Sequence, residues 1–381
     1  MTQPPPSGPW GPQQPQPGQW PQGPGYPGGM PGGPGQFAPQ QWPAPVPPKK
    51  GGAGKWILGV VALVAVVAVT AVVAVSCTKN TGGNAAGGGS VAGNNSGIAS
   101  ANDTGPVGII TEDPSCAPWG PVSATLANIA KNGWNDRDRS MPATAWSPEQ
   151  QSQYQAAAQA YRSAADQTVP LVKLTPHRVM RELYEQFIAY SRALADKIPT
   201  YTANDGPLSN TAATITLVVN GVCGAITYGV AAARGPLVSA ASPPTHIAPL
   251  GDPSNPSRFM PTVDAQCSDW ASAIKRINSD PAYAVWSNAD PNVPASSWSD
   301  QDKAENQAVM PVLNSFADQY EKLGRQSSNP VVEDLGVLAA QYGRAFVAGI
   351  PTYTQSDIQL FAPMGRVPGL IDAACDAAGA N

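Results

Sequence analysis

An internal repeat constrains the fold of this chain more than any other feature of its sequence. The segment YSRALADKIPTYT (residues 190–202) returns as YGRAFVAGIPTYT (residues 342–354), with eight identical positions and no gap. A shift of 152 residues also aligns other landmarks, and a shift of 151 aligns the first cysteine and tryptophan of each copy. The aligned pairs are Cys116/Cys267, Trp119/Trp270, Trp134/Trp286, Trp146/Trp298, Ser147/Ser299, Leu183/Leu335 and Cys223/Cys375. Self-similarity in this fixed order predicts two tandem homologous domains.

Local signals predict about four helices in each copy, and hence a mainly α fold. Residues 147–150 (SPEQ) have the pattern of an N-cap serine, a proline at the first helical position and a capping-box glutamine. A second helix is predicted to open at residues 175–176 (TP) and to end at 198–199 (IP), since proline cannot continue a helix. In the second copy the same signals stand at 329–330 (NP) and 350–351 (IP).

The last helix of the second copy is the least regular of the predicted elements. Pro363 and Pro368 fall inside it, and each removes a backbone donor that a helix needs. The sequence therefore predicts that this helix is interrupted.

The cysteines fit two closed bundles. In an up-down-up-down bundle the first helix starts at the end where the fourth helix finishes. A Cys116–Cys223 bridge and a Cys267–Cys375 bridge would each close one copy near its own termini. Four cysteines allow three connectivities, and only this one treats both copies alike. Disulfides require an oxidising compartment, and the alternative is four buried free thiols.

The segment 56–76 (WILGVVALVAVVAVTAVVAVS) contains 21 residues and no charge, which predicts a membrane-spanning helix. Lys49, Lys50 and Lys55 precede it, whereas only Lys79 follows closely. This bias places the N-terminus in the cytoplasm and the remainder outside the plasma membrane. A cleaved signal peptide is disfavoured because the apolar stretch begins only at Trp56, whereas a signal peptide opens with a short charged region.

Cys77 raises a separate question about the anchor. The sequence AVSC at residues 74–77 is similar to a bacterial lipoprotein box, in which the cysteine is lipidated. The box normally has leucine where this chain has Ala74, and it follows a short leader. Lipidation of Cys77 is therefore kept as an alternative to an unmodified cysteine.

The N-terminal arm is uncharged and rich in proline, glycine and glutamine. Residues 1–48 contain no Asp, Glu, Lys or Arg, a composition typical of disordered segments. Aromatic residues are scattered through it, either as docking points for a cytoplasmic partner or as parts of an inert tail. These residues are Trp10, Trp20, Tyr26, Phe37 and Trp42.

These signals divide the chain into six parts. A Gly/Asn/Ser tether follows the span, and a proline-rich spacer separates the two copies. The predicted parts are a disordered cytoplasmic arm (1–55), a transmembrane helix (56–76), a flexible tether (77–113), helical domain 1 (114–230), a spacer (231–263) and helical domain 2 (264–381).

The sequence holds few signals of catalysis. His177 and His246 are the two histidines, and neither has a counterpart in the other copy. Metal-ligand, phosphate-loop and nucleophile-elbow motifs do not occur. A net charge of −4 gives no reason to expect a nucleic-acid partner. We therefore predict neither an enzyme, nor a cofactor, nor a metal.

The repeated segment supplies the candidate binding or packing residues. They are Tyr190, Arg192 and Tyr201 in the first copy, and Tyr342, Arg344 and Tyr353 in the second. In a structural interpretation, each arginine forms a buried ion pair with Asp166 or Asp318 and fixes helix register. In a functional interpretation, the arginine and the second tyrosine of each copy line a cleft for an anionic group. The pairing interpretation is favoured.

The N-terminal part of the chain, positions 1–110, resembles the proline-rich single-pass membrane proteins common in actinobacteria, especially mycobacteria. The likeness lies in the uncharged arm, the short lysine run, the valine-rich span and the polar tether. It is compositional, and it implies membrane placement without implying an activity.

These observations predict a non-enzymatic, membrane-anchored envelope protein. Its extracytoplasmic tandem bundles are expected to bind a protein partner or an envelope component, with partners on one or both sides of the membrane. One alternative is a sensor or carrier for a small apolar or haem-like ligand held between helices. Another alternative is an envelope hydrolase with paired carboxylates.

Overall fold

The computed structural model describes residues 97–379, which belong to one compact unit. Its regular structure is helical, and no strand occurs among these residues. The prediction of a mainly α fold is therefore confirmed for this part of the chain. The predicted arm, the membrane span, Cys77 and the first part of the tether lie outside the described residues.

Ten α-helices occur in the described residues, and we divide them into an N-terminal half (α1–α5) and a C-terminal half (α6–α10). They are α1 (Cys116–Ile129), α2 (Pro148–Leu174), α3 (Arg178–Lys197), α4 (Gly206–Thr227), α5 (Val230–Arg234), α6 (Cys267–Ser279), α7 (Pro281–Trp286), α8 (Asp300–Gln326), α9 (Pro330–Gly349) and α10 (Ile358–Gly379).

The long helices of the two halves match in length. Helices α2 and α8 have 27 residues each, α3 and α9 have 20, and α4 and α10 have 22. Their first positions pair as 148 with 300, 178 with 330, and 206 with 358. The offset is the same in all three pairs, and it equals the shift that aligns the repeated sequence.

The capping signals position α2 and α8 as the sequence predicts. Ser147 accepts a hydrogen bond from the backbone N–H of Gln150, whose side chain accepts one from the backbone of Ser147. Ser299 and Asp302 form the same reciprocal pair at the start of α8. These bonds satisfy backbone donors that have no partner inside the helix.

Helices α3 and α9 begin at equivalent positions, but they are capped differently. Asn329 caps α9 through its side chain, as expected. Helix α3 begins at Arg178, two positions later than the sequence predicts, with His177 as its N-cap. The cause is Thr175, whose hydroxyl donates to the Asp113 carboxylate at 2.5 Å and accepts from the backbone N–H of His177.

The repeated segment ends a long helix and forms the turn to the last one. Short 3₁₀ turns, Ile198–Thr200 and Ile350–Thr352, follow α3 and α9 directly, where proline prevents further helix. Thr202 and Thr354 then cap the next element in the same way. The segment therefore has the same structural role in both halves.

Helix α10 corrects one prediction. It runs without a break from Ile358 to Gly379, although Pro363 and Pro368 lie inside it. Both prolines are buried, because α10 packs against α4, α9 and α6. Burial of apolar surface on several sides offsets the missing backbone hydrogen bonds.

Each half is closed by the disulfide that the sequence predicts. Cys116 pairs with Cys223 and Cys267 pairs with Cys375, with Cα–Cα distances of 5.3 and 5.8 Å. Each bond joins the first residue of the first helix to the last long helix of the same half.

The two halves pack directly against each other, mainly through α4 and α10. Gly221 makes this close approach feasible, because a Cβ atom at that position would lie 2.6 Å from the Ala362 Cβ and 3.1 Å from the Pro363 Cδ. Helices α3 and α9 also meet across the same junction. The hydrophobic core consequently runs through both halves.

Two extended segments bind the halves together. Residues 103–113, the first strap, reach from α3 to α9, where the backbone N–H of Ile110 donates to the Tyr342 hydroxyl at 3.3 Å. Residues 252–260, the second strap, lie along α3 before the chain enters the C-terminal half. The flexible tether predicted for 77–113 is thus too long, because residues 97–113 are packed: Ile98, Val107 and Ile110 are buried.

One segment of the described residues, Ala203–Thr227, is long and apolar enough to cross a membrane, with a mean hydropathy of 1.3. It contains α4, and 56 % of its most apolar window is buried inside the protein. Its contacts with α10 and α3 account for its apolar sequence.

Candidate functional site

The paired tyrosines of the repeated segment are core residues. Tyr190 and Tyr342 are fully buried, and burial raises the pKa of each hydroxyl. Tyr342 accepts a hydrogen bond from the first strap, whereas the Tyr190 ring packs edge-on against Phe259 of the second strap. Both therefore hold a strap against a helix.

Arg192 and Arg344 form the ion pairs predicted for them. Each Nη2 lies 2.7 Å from a carboxylate oxygen, that of Asp166 in the first half and that of Asp318 in the second. The pairs are not buried, since the aspartate side chains are 70 % and 72 % exposed. Exposed pairs of this kind contribute about 0–1 kcal/mol each to the free energy of unfolding. They therefore orient neighbouring helices more than they stabilise the fold.

Tyr201 and Tyr353 donate to backbone carbonyls in the loops that precede α2 and α8. The Tyr201 hydroxyl donates to the Arg139 carbonyl at 3.1 Å, and that of Tyr353 donates to the Pro291 carbonyl at 2.8 Å. Burial raises the pKa of Tyr201 to about 12. Within each copy, the arginine and this tyrosine thus bond to different neighbours, and the structure does not join them in an anion cleft.

A buried charge cluster lies where the two halves meet, and it was not among the predicted site residues. Arg178 at the start of α3 holds Asp334 on α9 through two hydrogen bonds, Nε–Oδ2 at 2.6 Å and Nη2–Oδ1 at 3.0 Å. Both side chains are 1 % exposed. The remaining donors of Arg178 reach the carbonyls of Asp103 and Gly105 in the first strap. One guanidinium therefore connects both halves and the first strap.

Glu182 is the least satisfied member of this cluster. Its carboxyl is fully buried one turn beyond Arg178, and no hydrogen-bond donor of residues 97–379 reaches either oxygen. Burial and the adjacent Asp334 carboxylate raise the pKa of Glu182 well above its ordinary value. Protonation turns the Glu182 carboxyl into a hydrogen-bond donor beside the Asp334 carboxylate, which lowers the cost of burying two neighbouring acids.

Arg181 balances the charge on the other side of Glu182. Its Nη1 lies 3.3 Å from Glu185 Oε1, and its Nη2 lies 3.7 Å from Glu182 Oε1. Burial also raises the pKa of Glu185, although Arg181 opposes this shift. The cluster is consequently close to neutral, as buried charges must be.

Another buried carboxylate, outside this cluster, anchors the spacer. Glu333 on α9 is inaccessible to solvent and accepts hydrogen bonds from the backbone N–H and the hydroxyl of Thr245, at 2.8 and 2.6 Å. Arg325 pairs with it at 3.3 Å and also donates to the Ser242 carbonyl. The spacer therefore packs on the C-terminal half.

Two open depressions lie on the surface of the described body. One, of about 480 Å³, lies between the end of α1 and the start of α2, and Trp134, Glu149 and Ser152 are among its lining residues. The other, of about 430 Å³, lies between residues 237–242 and the outer faces of α8 and α9, where Arg344 lines it.

The geometry offers little for metal chemistry. Within residues 97–379, no group of three His, Cys, Asp or Glu side chains is arranged to hold a metal ion. His177 contacts the Glu112 carbonyl, and His246 lies beside Thr245 in the spacer. The two histidines thus contact different parts of the fold.

Comparison with known proteins agrees with the extent of this body. The family model for the mycobacterial ESX-1 associated protein matches residues 98–379. The chain belongs to this family. The matched range begins at Ile98, the first buried residue of the body, so the family unit includes the first strap.

A protein of Mycolicibacterium smegmatis (strain MKD8), named as uncharacterized, shares 43 % identity with this family member over 340 residues. The similarity covers 88 % of this chain and 90 % of that protein, so it extends into the region before residue 97. No solved structure matches this chain. The family name thus indicates an association with ESX-1 without naming a ligand or a reaction.

One feature of the sequence indicates part of the buried cluster. Glu182 and Asp334 align under the shift that defines the repeat, so acids occupy equivalent positions in the two copies. Arg178 has Pro330 as its counterpart, and Arg181 has Glu333. A search for identical residues therefore overlooks a cluster that is built from unlike residues.

Proposed function

We propose that this chain is a non-enzymatic envelope protein of the ESX-1 secretion system, held by one membrane span. In this proposal the helical body lies outside the plasma membrane and binds a protein partner of the system. The family description, the lysine-flanked apolar segment 56–76 and the two disulfides support it, because disulfides persist in oxidising compartments.

The observation that carries the proposal is that polar side chains of the body are used in structural contacts within the fold. Arginines, acids and tyrosines bind helix ends, straps and the junction between halves, as Arg178 and Arg234 show. Arg234 holds the buried Asp357 through two hydrogen bonds, 2.9 and 3.0 Å long. Such contacts favour a rigid body with one lasting shape, which suits docking to another protein.

The two alternatives find less support. A carrier of an apolar or haem-like ligand needs Tyr190 and Tyr342 at the wall of a cavity, whereas both are packed among protein side chains. A hydrolase needs an accessible acid pair, whereas Glu182 and Asp334 are 0 % and 1 % exposed. We therefore retain protein binding as the proposed function.

The proposal also covers how the two halves arose and where the arm and the tether lie relative to the membrane. We infer that the halves arose by tandem duplication, which accounts for the constant offset between equivalent helix starts. The uncharged arm would remain cytoplasmic and contact a partner there, and residues 77–96 would act as a tether to the body. Unmodified Cys77 and lipidated Cys77 are both compatible with this arrangement.

Co-purification tests the proposed partner. The full chain, with a C-terminal tag, is recovered from mycobacterial membranes in mild detergent and compared with a chain lacking residues 1–48. Quantitative mass spectrometry should show ESX-1 components enriched with the full chain over an unrelated single-pass membrane protein. Components retained by the shortened chain bind the body, and those lost with the arm bind in the cytoplasm. If no ESX-1 component is enriched in either sample, the proposal is wrong.

Topology is tested with reporters fused to either end. Alkaline phosphatase should be active at the C-terminus and inactive at the N-terminus, since it folds only outside the cytoplasm. The opposite pattern would contradict the proposed orientation.

A further inference from the structure

The chain enters the described body through residues 97–106, which we call the entry segment. Ile98 anchors it by burial. Among the described residues, the hydrogen bonds that join the entry segment to the helices all involve Arg178. The backbone N–H of Arg178 donates to Asp103 Oδ2 at 2.6 Å, and its Nη1 donates to the carbonyls of Asp103 and Gly105 at 2.7 and 3.2 Å. Attachment of this segment therefore depends on the position of one guanidinium.

The rest of the first strap, residues 107–113, is held independently of Arg178. The Ile110 N–H donates to the Tyr342 hydroxyl at 3.3 Å. Asp113 accepts a hydrogen bond from the Thr175 hydroxyl at 2.5 Å. If Arg178 turned away, the entry segment would lose its hydrogen bonds to the helices while residues 107–113 kept theirs.

Glu182 can draw Arg178 away from the entry segment. It lies four positions after Arg178 on α3, so the two side chains are neighbours on one helix face. Arg181 Nη2 is 3.7 Å from Glu182 Oε1, too far for a hydrogen bond. An ionised Glu182 therefore needs a donor, and a carboxylate binds a guanidinium more strongly than a neutral backbone carbonyl does. It would compete with the entry segment for Arg178.

The charged groups around Glu182 belong to three elements. They are Arg178, Arg181 and Glu185 on α3, Asp334 and its chain neighbour Glu333 on α9, and Asp103 in the entry segment. An ionised Glu182 adds a negative charge to a cluster in which the two arginines already face Asp334 and Glu185. Burial and the Asp334 carboxylate raise the pKa of Glu182, so this charge appears only above the ordinary range of a glutamate.

We propose that Glu182 controls the attachment of the entry segment in response to pH. While Glu182 is protonated, Arg178 holds the segment on the body. When the proton passes to solvent, Arg178 turns towards the new carboxylate, the carbonyls of Asp103 and Gly105 lose their donor, and the segment detaches. The attached form is thus favoured at acidic pH and is lost as the pH rises through the raised pKa.

Detachment has a consequence for the tether. If residues 56–76 span a membrane, as proposed above, the released residues 97–106 are added to the tether 77–96. The body could then move further from the membrane at higher pH. This consequence alone rests on the proposed function, because the detachment itself depends only on contacts within the body.

Nitroxide labels measure the detachment directly. One label is attached through Asn102→Cys in the entry segment, and a reference label is attached through Asn255→Cys in the second strap; both asparagines are exposed. Each substitution is made in the full chain with Cys77→Ser, in lipid nanodiscs, so that the label has one free thiol. Electron paramagnetic resonance spectra between pH 5 and pH 9 give the mobile fraction of each label. Circular dichroism and both native disulfides establish that each protein is folded.

The label at position 102 should become mobile as the pH rises, and the reference label should not. Release of one proton changes the ratio of detached to attached segment by up to about tenfold per pH unit. Glu182→Gln keeps the shape of the side chain without a titrating proton, so its label should stay immobile throughout. Glu182→Met gives the same test if the glutamine variant does not fold. Glu185→Gln is the matched control: it alters a buried acid of α3 that pairs with Arg181, and it should keep the transition.

Four results would overturn the inference. The mobile fraction at position 102 could be constant from pH 5 to pH 9, or it could rise as much with Glu182→Gln as in the unaltered chain. Both labels could become mobile together, which would mean that the body opens as a whole. Loss of the transition with Glu185→Gln would assign it to the wrong acid. None of these results bears on the association with ESX-1, which co-purification tests separately.

Discussion

Replacing Glu182 with glutamine should change how the stability of the body depends on pH. The substitution keeps the shape of the side chain and its ability to donate to Asp334, but it removes the ionisable proton. Burial raises the pKa of Glu182 in the folded protein above the ordinary value of 4.5. Its contribution to stability is therefore complete below about pH 4.5, and it is lost as the pH rises towards the raised pKa.

The magnitude follows from the count of protons. Between the two pKa values, the unfolded chain has released one proton that the folded chain retains. The free energy of unfolding consequently falls by about 1.4 kcal/mol per pH unit. Asp334, whose pKa is also raised by burial, titrates together with Glu182, so the difference between the two proteins reports on this pair of acids.

Urea denaturation of the full chain in detergent, followed by tryptophan fluorescence between pH 5 and 7, measures this slope. Glu182→Gln should flatten the fall in stability and make the protein more stable than the unaltered chain at pH 7. Glu112→Gln serves as the control, since Glu112 is exposed, and it should leave the slope unchanged. If Glu182→Gln gives a curve parallel to that of the unaltered chain, Glu182 is not a neutral buried acid and the reasoning fails.

Two further pairs of substitutions test the stability of the body. The glycine pair compares a rigid backbone neighbour with a flexible side chain, and the arginine pair compares a buried with an exposed ion pair. Gly336→Ala should destabilise the body by about 1–3 kcal/mol, because its Cβ would meet backbone atoms of α8 at 2.7 and 2.8 Å. Gly343→Ala on the same helix should leave the free energy of unfolding nearly unchanged, since its Cβ would meet the flexible Met364 side chain. Equal melting temperatures of the Gly336→Ala and Gly343→Ala proteins would contradict this. Arg234→Met should lower the free energy of unfolding by about 3 kcal/mol, as it leaves a buried carboxylate without its cation. Arg192→Met, in an exposed pair, should change it by less than about 1 kcal/mol in the same urea titration, and a comparable loss would refute the distinction.

Local signals in the sequence located much of the helical framework. Ser147 and Ser299 mark the starts of α2 and α8 because a capping box acts over a few neighbouring positions, and the prolines after α3 and α9 mark their ends in the same way. The disulfides followed from symmetry, since one connectivity treats the copies alike. These features depend on short-range geometry or on the repeat itself.

Contacts between the halves could not be predicted in this way. Arg178 and Asp334 are 156 residues apart and occupy non-equivalent positions, so neither helix periodicity nor the repeat connects them. The first strap was predicted as a flexible tether because glycines and polar residues surround its few apolar side chains. Val107 and Ile110 were the available signal, and only the position of α9 gives them something to pack against.

Mapping the disulfides of the full chain, taken from mycobacterial membranes without reduction, tests the central claim most directly. The claim is that two equivalent helical halves, each closed by its own disulfide, form one body outside the plasma membrane. Mass spectrometry of the non-reduced digest should show the crosslinks Cys116–Cys223 and Cys267–Cys375. Crosslinks between the halves would contradict the fold, and four free thiols would contradict the placement outside the cytoplasm.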